Sequence, residues 1–249
     1  MEVHHHSHHP KKWKEYITEF VMLFTAVTLG FFAENLREVQ VEKHREISYL
    51  KNVHEDLQLD FETIDTVMYS NNYRLQMLDT FFTAIKNNTV TNEDYYYYIR
   101  NFALRSTFES ARTGFDQIKS AGGLRMVQNK KITSGIQQYE KVINSTAKLE
   151  ETREATVEAA RFKMANVLDA NTLYDMSKHQ VEGIVRFNKP EHVPAFTKNN
   201  KEAMNELLNL VSVGLNTNRY LNSRLVKLKT IGKALDDEIL KEYKEEIEH

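Results

Sequence analysis

Cysteine is absent from all 249 residues. Disulfides, thiolate nucleophiles and cysteine-based zinc sites are therefore excluded together. The compartment stays open, because reducing and oxidising surroundings both tolerate a cysteine-free chain. Glycine and proline are scarce, at 8 and 3. Few turns can be built from so few of them, which predicts long helices. Neither sign of charge dominates: the formal net charge of −2 gives no basic footprint for nucleic acid and no acidic tail. No segment alternates apolar and polar residues as a half-buried strand does, and no internal repeat is visible. The Walker, dinucleotide-binding and serine-hydrolase signatures are missing, as is His-Glu-x-x-His. The two Glu-x-x-His pairs, Glu2–His5 and Glu246–His249, lie at the chain ends, where they cannot line a bundle core. The expectation is a non-enzymatic protein with no catalytic, cofactor-binding or metal-binding residues and no nucleic-acid partner.

One long hydrophobic run is present. Tyr16–Leu36 reads YITEFVMLFTAVTLGFFAENL, uncharged from Phe20 to Ala33. A bilayer core of about 30 Å needs roughly 20 apolar residues in a helix, so 16–36 is just long enough to span. Glu19 and Glu34 fall near the interfaces, and Trp13 and Tyr16 fit the aromatic belt at the first one. Phe31 and Phe32 precede Ala33 where a signal peptidase needs small residues, so an uncleaved signal anchor is expected. Lys11, Lys12 and Lys14 precede the span, whereas Arg37, Lys43 and Arg45 alternate with acids after it. That bias places the N-terminus in the cytoplasm and residues 37–249 in a bacterial periplasm, with a single pass through the inner membrane. Within the span, Ala26, Gly30 and Ala33 form a small-residue stripe that would let two membrane helices approach closely. Residues 1–15 read as a flexible cytoplasmic arm. Its His4, His5, His6, His8 and His9 can bind transition metals loosely, but no acidic or cysteine cluster accompanies them to make a specific site.

Beyond the span, Leu50, Leu57, Ile64, Asn71, Leu78 and Ile85 repeat every seven residues, with Ile47, His54, Phe61, Met68, Leu75 and Phe82 as a second row three residues earlier. This is the seam of a helix that packs on other helices, with His54 and Asn71 as its polar, register-setting members. No Pro or Gly interrupts residues 31–86, so one helix is expected to run from the membrane to Lys86. A turn at Asn87–Asn92 leads to a second helix carrying Tyr95–Tyr98 and reaching Phe108. Four consecutive tyrosines cover every face of a turn, so at least one should be exposed or at an interface. Thr113 is expected to cap a short helix, and Gly122-Gly123 to stop it. Asn129 opens a third long helix whose buried stripe is Ile132, Ile136, Tyr139, Ile143, Thr146, Val157, Ala160, Met164 and Val167. The charged Glu150–Arg153 stretch is expected to face solvent. Short helices are expected around Ser177–Phe187, and a last helix over about Asn199–Glu246, weakened by Asn216, Asn218 and Asn222. The fold class is all-α: a transmembrane helix continuing into a long-helix, up-and-down, coiled-coil-like bundle. Arg105 and Arg112, seven apart on one expected helical face, are candidates with Arg125 for an anion site.

The blocks Glu19–Glu34 (EFVMLFTAVTLGFFAE), Arg45–Asp60 (REISYLKNVHEDLQLD) and Ser120–Arg125 (SAGGLR) resemble an uncharacterised family of single-pass, membrane-anchored helical proteins from Bacteroidota, a domain of unknown function. The resemblance implies bacterial membrane anchoring and a helical outer domain, and brings no functional residues. The expected function is an interaction, scaffold or accessory subunit on the bilayer, in a homo-oligomer or larger membrane-protein complex. The alternative is a periplasmic ligand-sensing bundle that signals through a partner.

Overall fold

The computed structural model describes residues 12–104, 106–120, 122–177, 186–194, 196 and 201–247, and every regular element among them is helical. Helix α1 spans Trp13–Lys86 as one unbroken run of 74 residues, roughly 110 Å long. It is followed by α2 (Asn92–Phe102), α3 (Thr113–Ser120), a 3-10 turn at Gly123–Arg125, α4 (Lys130–Met164), α5 (Ala170–Ser177) and α6 (Lys201–Ile247).

The helix ends follow their local chemistry. Thr91 caps α2 in a reciprocal capping box with Asp94. The Asn129 side chain caps α4 by accepting the Lys131 amide at 2.8 Å. Gly122 takes a left-handed φ of 66°, which is how the expected glycine stop after α3 is realised. Helix α6 is continuous through Asn216, Asn218 and Asn222, and its one distortion is at Tyr243.

The contacts define four antiparallel legs. Helix α1 meets α6 through His54–Asp236, Asn71–Asn222 and Asp79–Arg219, whose numbers rise on one helix as they fall on the other. Helices α4 and α6 pair the same way, through Lys131–Glu238 and Lys163–Glu206. The leg between α1 and α4 is broken: α2, a non-helical strap over 104 and 106–112, and α3 together descend antiparallel to α1. The up-and-down bundle is thus present with its second leg in pieces.

Three sequence expectations are corrected here. First, α2 ends at Phe102 rather than Phe108, so Arg112 sits on the non-helical strap and shares no helical face with position 105. The strap leaves the helix because side chains of α1 and α4 satisfy its backbone. Second, the deepest second row of α1 is one residue earlier than expected: Glu46, Val53, Asp60, Val67, Arg74 and Phe81 are buried, and Ile47, His54, Phe61, Met68, Leu75 and Phe82 are half-buried. The α3 leg and α6 flank α1 on two sides, so the interior line runs between the rows. Third, Glu150 and Arg153 are interior, with Arg153 only 1% exposed.

None of the four tyrosines is exposed. Tyr96 is buried, and Tyr95, Tyr97 and Tyr98 are half-covered. Phe196 packs on Tyr95 and Tyr96, Phe81 on Tyr95 and Tyr98, and the Tyr73 hydroxyl lies 3.4 Å from that of Tyr97. Burial and these neighbouring hydroxyls push the Tyr97 phenol up to about 12. Helix α5 ends at Ser177, where the expected short helices were to begin, and residues 178–185 are outside the described residues.

The core is divided. One apolar cluster joins Leu50–Val67 of α1, Ile132–Ile143 of α4 and Leu221–Ile247 of α6. A second joins Met77–Phe81, Val157–Met164 and Leu207–Leu215 of the same helices. Between them lies a buried polar layer of Asn71 and Arg74 on α1, Thr146, Glu150 and Arg153 on α4, and Thr217 and Asn218 on α6.

Candidate functional site

The first feature with functional content is the bare end of α1. Every side chain from residue 12 to residue 40 is exposed, and the first buried one is Glu46. Among the described residues, nothing outside its own helix covers the apolar run. A core helix of equal oiliness would be covered by its bundle. Here Phe20, Leu23, Phe24, Leu29, Phe31 and Phe32 are all more than half exposed. One helix is long and apolar enough to cross a membrane, it lies near the N-terminus, and none of its apolar window is buried. Two of its threonine hydroxyls are paired within the helix: Thr18 donates to the Lys14 carbonyl at 2.9 Å, and Thr28 to the Phe24 carbonyl at 2.8 Å. Hydrocarbon solvates no free donor, so this internal pairing is what a bilayer demands. Ala26, Gly30 and Ala33 share one exposed face, with no atom within 4 Å of a Cβ built at Gly30. Trp13 and Tyr16 are exposed at the start of the run. At its other end Glu34 and Arg37 pair, with Arg37 Nε donating at 3.0 Å. The histidines of the N-terminal arm and Lys11 lie outside the described residues.

The second feature is the clamp on the strap. Asp60 is fully buried and accepts from the Ser110 hydroxyl, the Ala111 amide and the Tyr139 hydroxyl, each at 2.7 Å. One turn earlier, Asp56 accepts the Thr113, Gly114 and Phe115 amides at 3.2, 2.7 and 3.2 Å. A carboxylate from another helix thus caps the first turn of α3, and Thr113, the expected cap, is inside the helix. On the α4 side, Glu150 accepts the Phe108 amide at 3.2 Å and pairs with Arg153, which donates to the Ser106 carbonyl at 3.1 Å. Arg161 donates to the Ala103 carbonyl at 2.5 Å. Glu46 holds the far end, accepting the Gln128 amide and the Tyr243 hydroxyl at 3.0 and 2.9 Å. Burial raises Asp60 above the usual carboxylate range against its three donors, and Asp56 nearby adds to the rise. Burial, reinforced by the Asp60 charge, pushes the Tyr139 phenol up.

The sequence candidates are distributed as follows. His54 is half-buried, with Nδ1 2.6 Å from an Asp236 carboxylate oxygen, and Gln58 donates to the other oxygen at 2.8 Å. Asn71 is fully buried; it donates to Asn222 and accepts from Arg74. Both join α1 to its neighbours, as seam residues do. Arg112 pairs with Asp116 and Glu140, so its charge is already matched. Arg125 is exposed on the 3-10 turn beyond α3, and Arg105 lies outside the described residues. The structure does not bring Arg112 and Arg125 together. Among the described residues no group of three or more His, Asp or Glu is placed to hold a metal.

The polar layer and the clamp carry most of the buried charge, and both escaped the sequence reading. Their signal was in the spacing: Glu150 and Arg153 continue the three- and four-residue steps of the α4 stripe, and Asp60 and Arg74 those of α1. No protein-family model matches this chain, and neither a curated protein nor a solved structure matches it significantly.

Proposed function

We propose that this chain is a single-pass membrane protein whose helical bundle serves as a non-enzymatic interaction, scaffold or accessory subunit of a membrane complex. One observation carries the reading: an apolar helix end left bare by every described residue continues without a break into a packed bundle. Such an end needs a non-aqueous environment, and the lipid bilayer supplies one. The buried carboxylates support a mechanical role, since they are engaged by the chain's own backbone amides and hydroxyls. The exposed Ala26–Gly30–Ala33 face suits close contact with a second helix, whether another copy or another membrane protein. Lys12 and Lys14 before the run, with Lys11 in the sequence, favour the N-terminus in the cytoplasm and the bundle in a bacterial periplasm. The alternative, a ligand-sensing bundle that signals through a partner, draws on the buried polar layer.

Fractionation tests the anchor and its orientation. The full chain should stay in the membrane pellet through an alkaline carbonate wash, and protease added to spheroplasts should digest the region after residue 37. Release by carbonate would remove the anchor, and complete protection would reverse the orientation. Gentle detergent extraction should then bring down a second copy or a partner; recovery of monomer alone would count against the scaffold.

A further inference from the structure

We infer that the polar layer between the two apolar cores is a binding site for a small, hydrogen-bearing oxyanion such as hydrogen phosphate or bicarbonate. The inference goes beyond the proposed anchoring role and does not depend on it.

Position comes first. Asn222 of α6 bonds to Asn71 and Asn72 of α1. Asn218 lies one turn before Asn222, and the two helices are antiparallel, so Asn218 is level with Arg74. The α4–α6 pairs Gly135–Leu235 and Lys163–Glu206 place Asn218 level with the Glu150–Arg153 turn. Three helices therefore deliver Arg74, Arg153, Glu150 and Asn218 to one height in the interior.

Charge comes second. The layer buries two guanidinium groups and one carboxylate. Arg153 and Glu150 bond to each other, which leaves the Arg74 charge with only the neutral Asn71 oxygen as its hydrogen-bonded acceptor. The neighbouring Arg161–Glu154 pair is neutral in itself. A buried, unbalanced cation is costly, and a bound anion removes the cost. Burial and the Arg153 charge lower Arg74 to about 10, and the Glu150 carboxylate, shared with Arg153, opposes them only in part.

The third observation points to a ligand directly. Asn218 is 1% exposed, and both its amide nitrogen and its amide oxygen lack a hydrogen-bond partner. Buried amides are almost always paired. The nitrogen needs an acceptor and the oxygen needs a donor, so the occupant must offer both. Chloride offers no donor, and sulfate carries none near neutral pH. Hydrogen phosphate and bicarbonate carry a hydroxyl for the Asn218 oxygen and anionic oxygens for Asn218 nitrogen and Arg74.

The test uses the full chain in detergent, with phosphate titrated against chloride at constant ionic strength. The melting temperature of the wild-type protein should rise saturably with phosphate and stay level with chloride. Arg74→Met should abolish the rise, and Asn218→Leu should weaken phosphate binding at least about tenfold, the cost of a lost charged hydrogen bond. Equilibrium dialysis of the wild-type protein with radiolabelled phosphate should give one bound ion per chain, a readout independent of the variants. Equal, non-saturating rises in all three proteins would mean that salt merely strengthens apolar burial and would overturn the site. So would the absence of bound phosphate in dialysis, which would leave internal water as the occupant.

Discussion

Asp60 shows how a single residue can cost stability and still be required by the fold. It holds the strap at two points and α4 at a third, and burial raises its pKa. A raised acid binds its proton more tightly in the folded chain than in the unfolded one. Between the unfolded pKa of about 3.9 and the higher folded value, its contribution to stability therefore falls as the pH rises. Asp60→Asn has no such term. The stability of the wild-type protein relative to Asp60→Asn should be highest below the unfolded pKa of about 3.9 and decline as the pH rises through the folded value. Urea denaturation of both proteins at a series of pH values checks this, and a difference that stays flat would mean that the three donors fully offset burial.

At the scale of elements, the close contact of α3 with α1 rests on Gly114. A Cβ there would lie 2.3 Å from the Val53 nitrogen and 2.4 Å from the Asn52 carbonyl carbon. Both are backbone atoms of a helix and cannot give way. Gly114→Ala must push α3 outward and stretch the Asp56 cap, so a loss of about 3 kcal/mol is expected from overpacking and weakened capping together. Thermal or urea melts measure it; an unchanged midpoint would show that α3 docks loosely. The long helices were readable from the sequence because seven-residue recurrence of Leu, Ile and Val does not depend on tertiary context. Their ends were readable where the caps are local, as at Thr91, Asn129 and Gly122. The strap was not, because what breaks its helix is 42 to 51 positions away: the Glu150 carboxylate for Phe108, and that of Asp60 for Ala111. The polar layer was hidden for another reason. Charge by itself suggests solvent, whereas the alternating steps through Ile143, Thr146, Glu150, Arg153 and Val157 place Glu150 and Arg153 inside. Regular spacing was the better guide to burial than residue character.

For the whole molecule, the short bridge between the apolar run and the bundle is the mechanical weak point. Residues 37–45 are helical and none is buried, so the two parts are kept aligned by bonds within the helix itself, chiefly those of its backbone. Glu42→Pro removes one of those bonds and sets its ring against the preceding turn, a local cost of about 3 kcal/mol. The bundle starts at Glu46 and should melt as before, and the run before Leu36 should still partition into membrane. Co-purification of a partner that depends on fixed geometry should be lost. Retention of the partner, with unchanged melting, would show that the bundle needs only to be tethered.

The unbroken α1 also makes the chain a lever. Membrane helices tilt by about 20° on average, more in thin bilayers and less in thick ones. From Leu36 to Lys86 the helix extends roughly 75 Å. Pivoted at the bilayer surface, its far end would sweep about 25 Å sideways over that tilt. Bilayer thickness would then set how far from the pivot, and in which direction, the tip of the bundle reaches.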